Sequence, residues 1–162
     1  MARPTGDQWN FMIYAYAACT LCLAVKYQWS QMMGFDLANH PKEDERMNAG
    51  RRPVDEETQK RRNRQAANDV DNIPFNMVIF WAAFVVQMQV NFSSDLDGQP
   101  GTRALTAVII AYTASRFLYT VCYFTGVQPF RSIFYMMGSL CPLVAAAILV
   151  YSAFLLDANN WV

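Results

Sequence analysis

The sequence has few charged residues and almost no histidine. Charged residues make up 16% of its 162 residues, against about a quarter in an ordinary soluble domain. Thirteen basic and thirteen acidic residues give a formal net charge of zero, which argues against a nucleic-acid-binding protein. A hydrophobic fraction of 54% argues against a disordered chain. The composition therefore indicates a small membrane protein with one domain.

Metal-binding motifs are also missing from the sequence. The single histidine is His40, and Cys19 and Cys22 form one C-x-x-C pair with no second pair near it. Cys122 and Cys141 lie in other apolar runs. We expect Cys19 and Cys22 to be small apolar residues on one buried helix face, and we expect no metal cofactor. We expect no cleavable signal peptide, because the first apolar run is too long for one.

Four apolar segments are long enough to cross a bilayer as helices. A hydrocarbon core about 30 Å thick requires roughly 20 helical residues. The predicted spans cover about residues 9–35, 62–92, 102–125 and 129–157, and a polar loop covers 36–61. Helices satisfy their own backbone hydrogen bonds in lipid. The predicted fold is therefore all-α: one four-transmembrane-helix bundle formed by residues 1–162.

Basic residues are concentrated in one connection between spans, and this predicts the orientation. Residues 36–64 contain eight lysines and arginines, whereas residues 93–103 contain only Arg103. The positive-inside rule places the first connection on the cytosolic side, or its organellar equivalent. Arg131, at the start of the fourth span, is expected on the same side.

Polar residues recur at helical spacing inside three of the predicted spans. These stripes are Arg64, Asn68 and Asp71 in the second span, Arg116, Tyr119 and Tyr123 in the third, and Arg131, Ser132 and Tyr135 in the fourth. In the second and third spans the spacing puts the three residues on one helical face. All three stripes lie in the cytosolic half of their span, so they are expected to converge at one depth.

The three stripes favour a ligand pocket over a purely interhelical polar network, which is the alternative. An ionisable side chain inside a span costs about 2.5–3.5 kcal/mol, so each one calls for a partner. Guanidinium groups bind carboxylates in a bidentate manner, and Asp71 is suited to an ammonium group. The expected ligand is therefore a zwitterion with several carboxylates and one ammonium.

The motifs resemble those of the membrane-associated proteins in eicosanoid and glutathione metabolism, the MAPEG family. The similar segments are R-x-x-x-N-D-x-D-N-I-P-F from Arg64 to Phe75, R-x-x-Y-x-x-x-Y from Arg116 to Tyr123, and the Arg131-Ser132 pair. This family includes the microsomal glutathione transferases. The resemblance covers essentially the whole chain, and it implies a homotrimer that binds glutathione between neighbouring subunits near the cytosolic face.

The resemblance also implies a role for each residue of the stripes. It implies glutathione binding by Arg64, Asn68, Asp71, Arg116, Tyr119, Tyr123 and Tyr135, and catalytic roles for Arg131 and Ser132. Arg131 matches the arginine that activates the glutathione thiol. The expected function is therefore that of a glutathione transferase or peroxidase acting on lipophilic electrophiles or lipid hydroperoxides from the bilayer. The endoplasmic reticulum is the favoured location, with a mitochondrial membrane as the alternative.

A non-catalytic role is the alternative interpretation of the same resemblance. Most members have glutamate where this chain has Asp71, and many have a basic residue where it has Gly34-Phe35-Asp36-Leu37. A chain without turnover would serve as an accessory subunit of a larger membrane assembly, or as a regulator that presents lipid to another enzyme. Purification as a free trimer, or always with other subunits, would separate these interpretations.

Overall fold

A computed structural model describes residues 6–34, 55–93 and 100–159, and the secondary structure in these ranges is helical. The four helices are α1 (Gly6–Gly34), α2 (Glu56–Ser93), α3 (Pro100–Thr125) and α4 (Gln128–Asn159). Most of the polar loop predicted at 36–61 lies outside the described residues. Within these three ranges, the predicted all-helical fold is confirmed.

Three of the described helices, α2, α3 and α4, are long and apolar enough to cross a membrane. The chain is therefore a multi-pass membrane protein. The 29-residue α1 contains Lys26 and several amide side chains, which lower its mean hydropathy. A fourth crossing by α1 stays a prediction.

α2 extends upstream of its apolar part into a charged segment. Asp55 caps its first turn, because the Asp55 Oδ2 accepts a hydrogen bond of 2.9 Å from the Thr58 backbone N–H. The acidic residues Glu56 and Glu57 favour the positive helix N-terminus, and each pairs with a basic residue one turn later. These contacts explain a helix in a segment with little apolar character.

All four helices contribute to one apolar core at the expected helical spacing. Its buried members are Met12, Tyr16, Cys19 and Leu23 in α1, Ile73, Phe80, Ala83 and Phe84 in α2, Leu105, Ile109 and Tyr112 in α3, and Cys141 and Ala145 in α4. The C-x-x-C pair is divided between two environments, because Cys19 is buried and Cys22 is exposed. The expectation that both lie on one buried face is therefore wrong.

Two glycines set the geometry near the predicted polar stripes, one at a close contact between helices and one in a turn. A Cβ atom at Gly34 would lie 2.5 Å from the Ala66 Cβ, so glycine allows the end of α1 to contact α2. Gly126 has a φ of 73°, which glycine adopts readily. The Gly126 turn joins α3 to α4 and brings Tyr123 and Arg131 to the same end of the bundle.

Candidate functional site

An open cleft of about 380 Å³ lies between α2, α3 and α4 at the end where α3 turns into α4. Its lining residues are Arg64, Tyr119, Tyr123, Arg131, Ser132, Tyr135 and Met136. Six of the nine residues singled out in the sequence thus lie together, and each of the three stripes contributes at least one of them.

Three tyrosines form one wall of the cleft. The ring centroid of Tyr119 lies 5.8 Å from that of Tyr123 and 5.9 Å from that of Tyr135. Tyr119 is buried, whereas Tyr135 is exposed. This wall therefore combines apolar ring surfaces with phenolic hydroxyl groups that can donate or accept hydrogen bonds.

Two guanidinium groups face the cleft without an acidic partner among the described residues. Arg131 donates a 2.8 Å hydrogen bond to the Gln128 Oε1, and its Cζ lies 5.3 Å from the Tyr123 ring centroid. It lies in the first turn of α4, where the helix dipole disfavours a cation. Arg64 is exposed at the cleft. The cleft is therefore suited to an anionic ligand.

Arg116 and Asn68, two further residues of the predicted site, lie behind the cleft. The Arg116 side chain is 2% exposed, and its Cζ is 5.3 Å from the ring centroid of Tyr119. Its Nη2 donates to the Asn68 Oδ1 at 2.5 Å and to the Asp69 Oδ1 at 2.7 Å. In the single chain both residues therefore support the cleft wall and do not line it.

Asp71 does not line the cleft within the single chain. The buried face of α2 runs through Gln65, Asp69 and Ile73, so Asp71 points outward and is exposed. It lies on the same outer face as Phe75 and Val78. These two side chains are 67% and 70% exposed. A ligand in the cleft of this subunit is therefore not in contact with this carboxylate.

A buried group of charges was missed in the sequence. The Asp69 carboxylate is fully buried, and its Oδ2 accepts hydrogen bonds from Lys26 Nζ at 2.5 Å, from Gln65 Nε2 at 3.2 Å and from Ser30 Oγ. Lys26 and Asp69 are both ionisable residues in predicted spans, and this feature of the sequence could have indicated that they are buried together. Their pairing depends on helix packing that no local spacing reveals.

Metal binding has no obvious location in the described ranges. No group of three or more His, Cys, Asp or Glu side chains within residues 6–34, 55–93 and 100–159 could hold a metal ion.

Comparison with known proteins identifies the family. A family model described as "MAPEG family" matches residues 11–151, a range that includes every residue lining the cleft. No curated protein and no solved structure gives a significant match. Because the family match covers most of the chain, the predicted resemblance is confirmed. The chain belongs to the MAPEG family, membrane proteins of glutathione and eicosanoid metabolism that generally use glutathione.

Proposed function

We propose that the chain is a membrane-embedded glutathione transferase or peroxidase that binds glutathione in the cleft. One observation carries the proposal: Arg64 and Arg131, which have no acidic partner in the described part of the chain, line the same cleft as Ser132 and three tyrosines. Glutathione has two carboxylates, an ammonium and a thiol, so it presents anionic groups to both arginines.

The size and surroundings of the cleft support a ligand of this class. Its volume of about 380 Å³ falls within the roughly 300–1,000 Å³ typical of small-molecule sites. In the proposed complex, Arg64 binds one carboxylate in a bidentate manner, and the phenol groups of Tyr119 and Tyr123 form hydrogen bonds with the peptide. Arg131 and Ser132 then face the thiol.

The exposed position of Asp71 supports a site shared between subunits. A carboxylate on an outer helix face within a span costs about 2.5–3.5 kcal/mol if it faces lipid. A neighbouring copy of the chain would remove Asp71 from lipid. In the proposed homotrimer, Asp71 of one subunit meets the ammonium of glutathione held in the cleft of the next subunit.

The proposed chemistry depends on the thiolate of glutathione. A thiol has a reference pKa near 8.5, and lowering it by two units requires about 2.7 kcal/mol of preferential thiolate stabilisation. Guanidinium N–H groups of Arg131 supply this by donating hydrogen bonds to the sulfur. The Ser132 hydroxyl, beside it on α4, donates a further one.

Two reactions are open to this thiolate. In conjugation, sulfur forms a bond to an electrophilic carbon, and the displaced electron pair leaves with a leaving group or is protonated. In peroxide reduction, sulfur attacks the distal oxygen of a lipid hydroperoxide and the O–O bond breaks. The departing alkoxide takes up a proton to give the product alcohol, and a second glutathione converts the sulfenic acid to a disulfide and water.

The apolar side of the cleft supports a lipophilic co-substrate. Met136 lines the cleft and is 63% exposed. Phe130 and Ile133, on the same helix, are also more than half exposed. A substrate dissolved in the bilayer therefore reaches the cleft along α4 without crossing water.

An accessory subunit without turnover is the second candidate. The observation that favours it is that Arg116 and Asn68, both implied ligands of glutathione, already bind each other. A cleft whose wall is held by this Arg116–Asn68 contact would bind a ligand, or a neighbouring protein, without catalysing a reaction.

Titration calorimetry with glutathione tests the proposal on the full chain purified in detergent. The parent should bind, and Arg64→Ala should bind about 10- to 100-fold more weakly, as expected when a hydrogen bond to a charged group is lost. Arg103→Ala is the matched control, because Arg103 is exposed in the first turn of α3, away from the cleft. Absence of binding by the parent would contradict the proposal. Binding without conjugation of a generic electrophile would favour the accessory subunit.

A further inference from the structure

A cluster of buried polar groups connects three helices behind the cleft. This cluster, the Asp69 cluster, consists of Lys26 and Ser30 from α1, Gln65 and Asp69 from α2, and Arg116 from α3. None of the five residues is more than 2% exposed. Four different side chains donate hydrogen bonds to the Asp69 carboxylate, so its position is fixed from three directions.

Two routes lead from the Asp69 cluster to the cleft. On the first, Arg116 donates to the Asp69 Oδ1 and the Asn68 Oδ1, and its guanidinium lies over the Tyr119 ring that lines the cleft. On the second, the Gln65 Nε2 donates to the Asp69 Oδ2 and also to the Thr120 Oγ1 at 3.0 Å. Gln65 directly follows Arg64 in α2, and Thr120 directly follows Tyr119 in α3. Since Arg64 and Tyr119 both line the cleft, the second route ends at the same cleft as the first.

The charges in the cluster indicate different roles for Lys26 and Asp69. Two cations and one anion give a formal charge of +1 when Lys26 and Arg116 are protonated. Without the Lys26 charge, a neutral Asp69–Arg116 pair remains, and the Asp69 Oδ1 that binds Arg116 is not the oxygen that Lys26 contacts. Without the Asp69 charge, two buried cations remain and Arg116 has no carboxylate to orient it.

We propose that Asp69 is a positioning residue for the glutathione site, acting through Arg116 on the Asn68 amide and the Tyr119 ring. This inference rests on the proposed function. In this arrangement Lys26 balances the charge of the buried carboxylate and does not orient the cleft. Asp69 itself contacts neither the ligand nor the reacting atoms.

Charge-balanced variants of the full chain separate positioning from folding. Asp69→Asn removes the charge but keeps the shape, and Lys26→Met combined with Asp69→Asn returns the cluster to the parent's formal charge of +1. The double variant should recover thermal stability relative to Asp69→Asn alone. Its KM for glutathione should nevertheless be at least 10-fold higher than that of the parent, because Arg116 still lacks its carboxylate. Lys26→Met alone should keep the KM within about 2-fold of the parent.

Separate readouts exclude a merely structural role. In the double variant, the kcat at saturating glutathione and its pH profile should change much less than the KM, because Arg131 is not part of the Asp69 cluster. Arg116→Lys, which keeps the charge but loses the fork that binds Asn68 and Asp69 together, should raise the KM in the same way. This single variant decides the question if the double variant does not fold.

A parent-like KM in the folded double variant, or in Arg116→Lys, would overturn the positioning role while leaving the proposed function intact. A KM increase of equal size in Lys26→Met would also overturn it, because general loosening of the bundle would then be the cause. Failure of the parent chain itself to bind glutathione would overturn the proposed function, and the positioning role with it.

Discussion

The Asp69 carboxylate and the Arg116 guanidinium lie 2.7 Å apart, and both side chains are almost completely excluded from solvent. The pair joins α2 to α3 directly behind the tyrosine wall of the cleft. Burying two charges is costly, and the cost is offset only when each charge keeps its hydrogen-bond partners. The donors Lys26, Ser30 and Gln65 meet that condition for the carboxylate, and the Asn68 Oδ1 accepts a hydrogen bond from the guanidinium.

The first prediction concerns the stability contributed by this pair. Asp69→Ala should lower the free energy of unfolding by about 3–5 kcal/mol, because it leaves two buried cations without their carboxylate. Asp71→Ala is the matched control on the same helix and should not lower it, because the residue is exposed in the single chain and its removal takes a carboxylate out of contact with the detergent. Reversible denaturation in detergent measures both values. Equal losses in the two variants would contradict the burial of Asp69.

The second prediction concerns Asp71 and the ammonium of glutathione. The parent should bind glutathione more tightly than an analogue that lacks this ammonium, and Asp71→Ala should bind both equally. The coupling between the two changes should be about 1.5–3 kcal/mol, as for a charged hydrogen bond. Calorimetry of the four combinations measures it. If Asp71→Ala still binds glutathione more tightly than the analogue, by as much as the parent does, then the ammonium is not bound by Asp71.

The third prediction concerns the contact between α1 and α2. Gly34→Ala should destabilise the bundle by about 1–3 kcal/mol, because the new Cβ would lie 2.5 Å from the Ala66 Cβ. Ala66→Gly in the same chain should recover most of the loss, since it removes the atom that clashes. Thermal unfolding of the single and double variants gives the comparison. A single variant as stable as the parent would mean that the helices do not meet here.

The fourth prediction concerns pH and the start of α2. Hydrogen bonds from Thr58 hold the pKa of Asp55 below its ordinary value. The stabilisation of the first turn of α2 by these hydrogen bonds is therefore fully present above the unfolded pKa of the carboxyl group, near 3.9. It is lost as the pH falls through the lower pKa of the folded state. Asp55→Asn should remove this pH dependence from the hydrogen exchange of the Thr58 amide. Persistence of the dependence in Asp55→Asn would assign it to another group.

The sequence was sufficient to predict the helices and the grouping of most cleft residues. Apolar segments of spanning length predict helices, because a backbone is stable in lipid only when its N–H and C=O groups are hydrogen-bonded within the protein. Since consecutive helices run in opposite directions, the end of α3 and the start of α4 meet through the Gly126 turn. Tyr123 and Arg131 therefore had to lie at one end of the bundle.

The rotation of α2 about its own axis could not be predicted from the sequence. Successive residues on a helix are about 100° apart, so Asp69 and Asp71 point in nearly opposite directions and only one can be buried. The choice depends on contacts with other helices, such as the approach of Gly34 to Ala66 and the Lys26–Asp69 pair. These are tertiary contacts between distant segments, and local spacing carries no information about them.

The most direct test of the proposed mechanism is the thiolate absorbance of bound glutathione, measured against pH in the parent and in Arg131→Ala. The parent should hold the thiol pKa well below its reference value near 8.5. Arg131→Ala should return it toward that value and reduce conjugation strongly, with a smaller loss of affinity because Arg64 still binds the ligand. Arg131→Lys should recover part of the rate as a point charge. An unchanged thiolate pKa and an unchanged rate in Arg131→Ala would contradict thiolate activation by this residue.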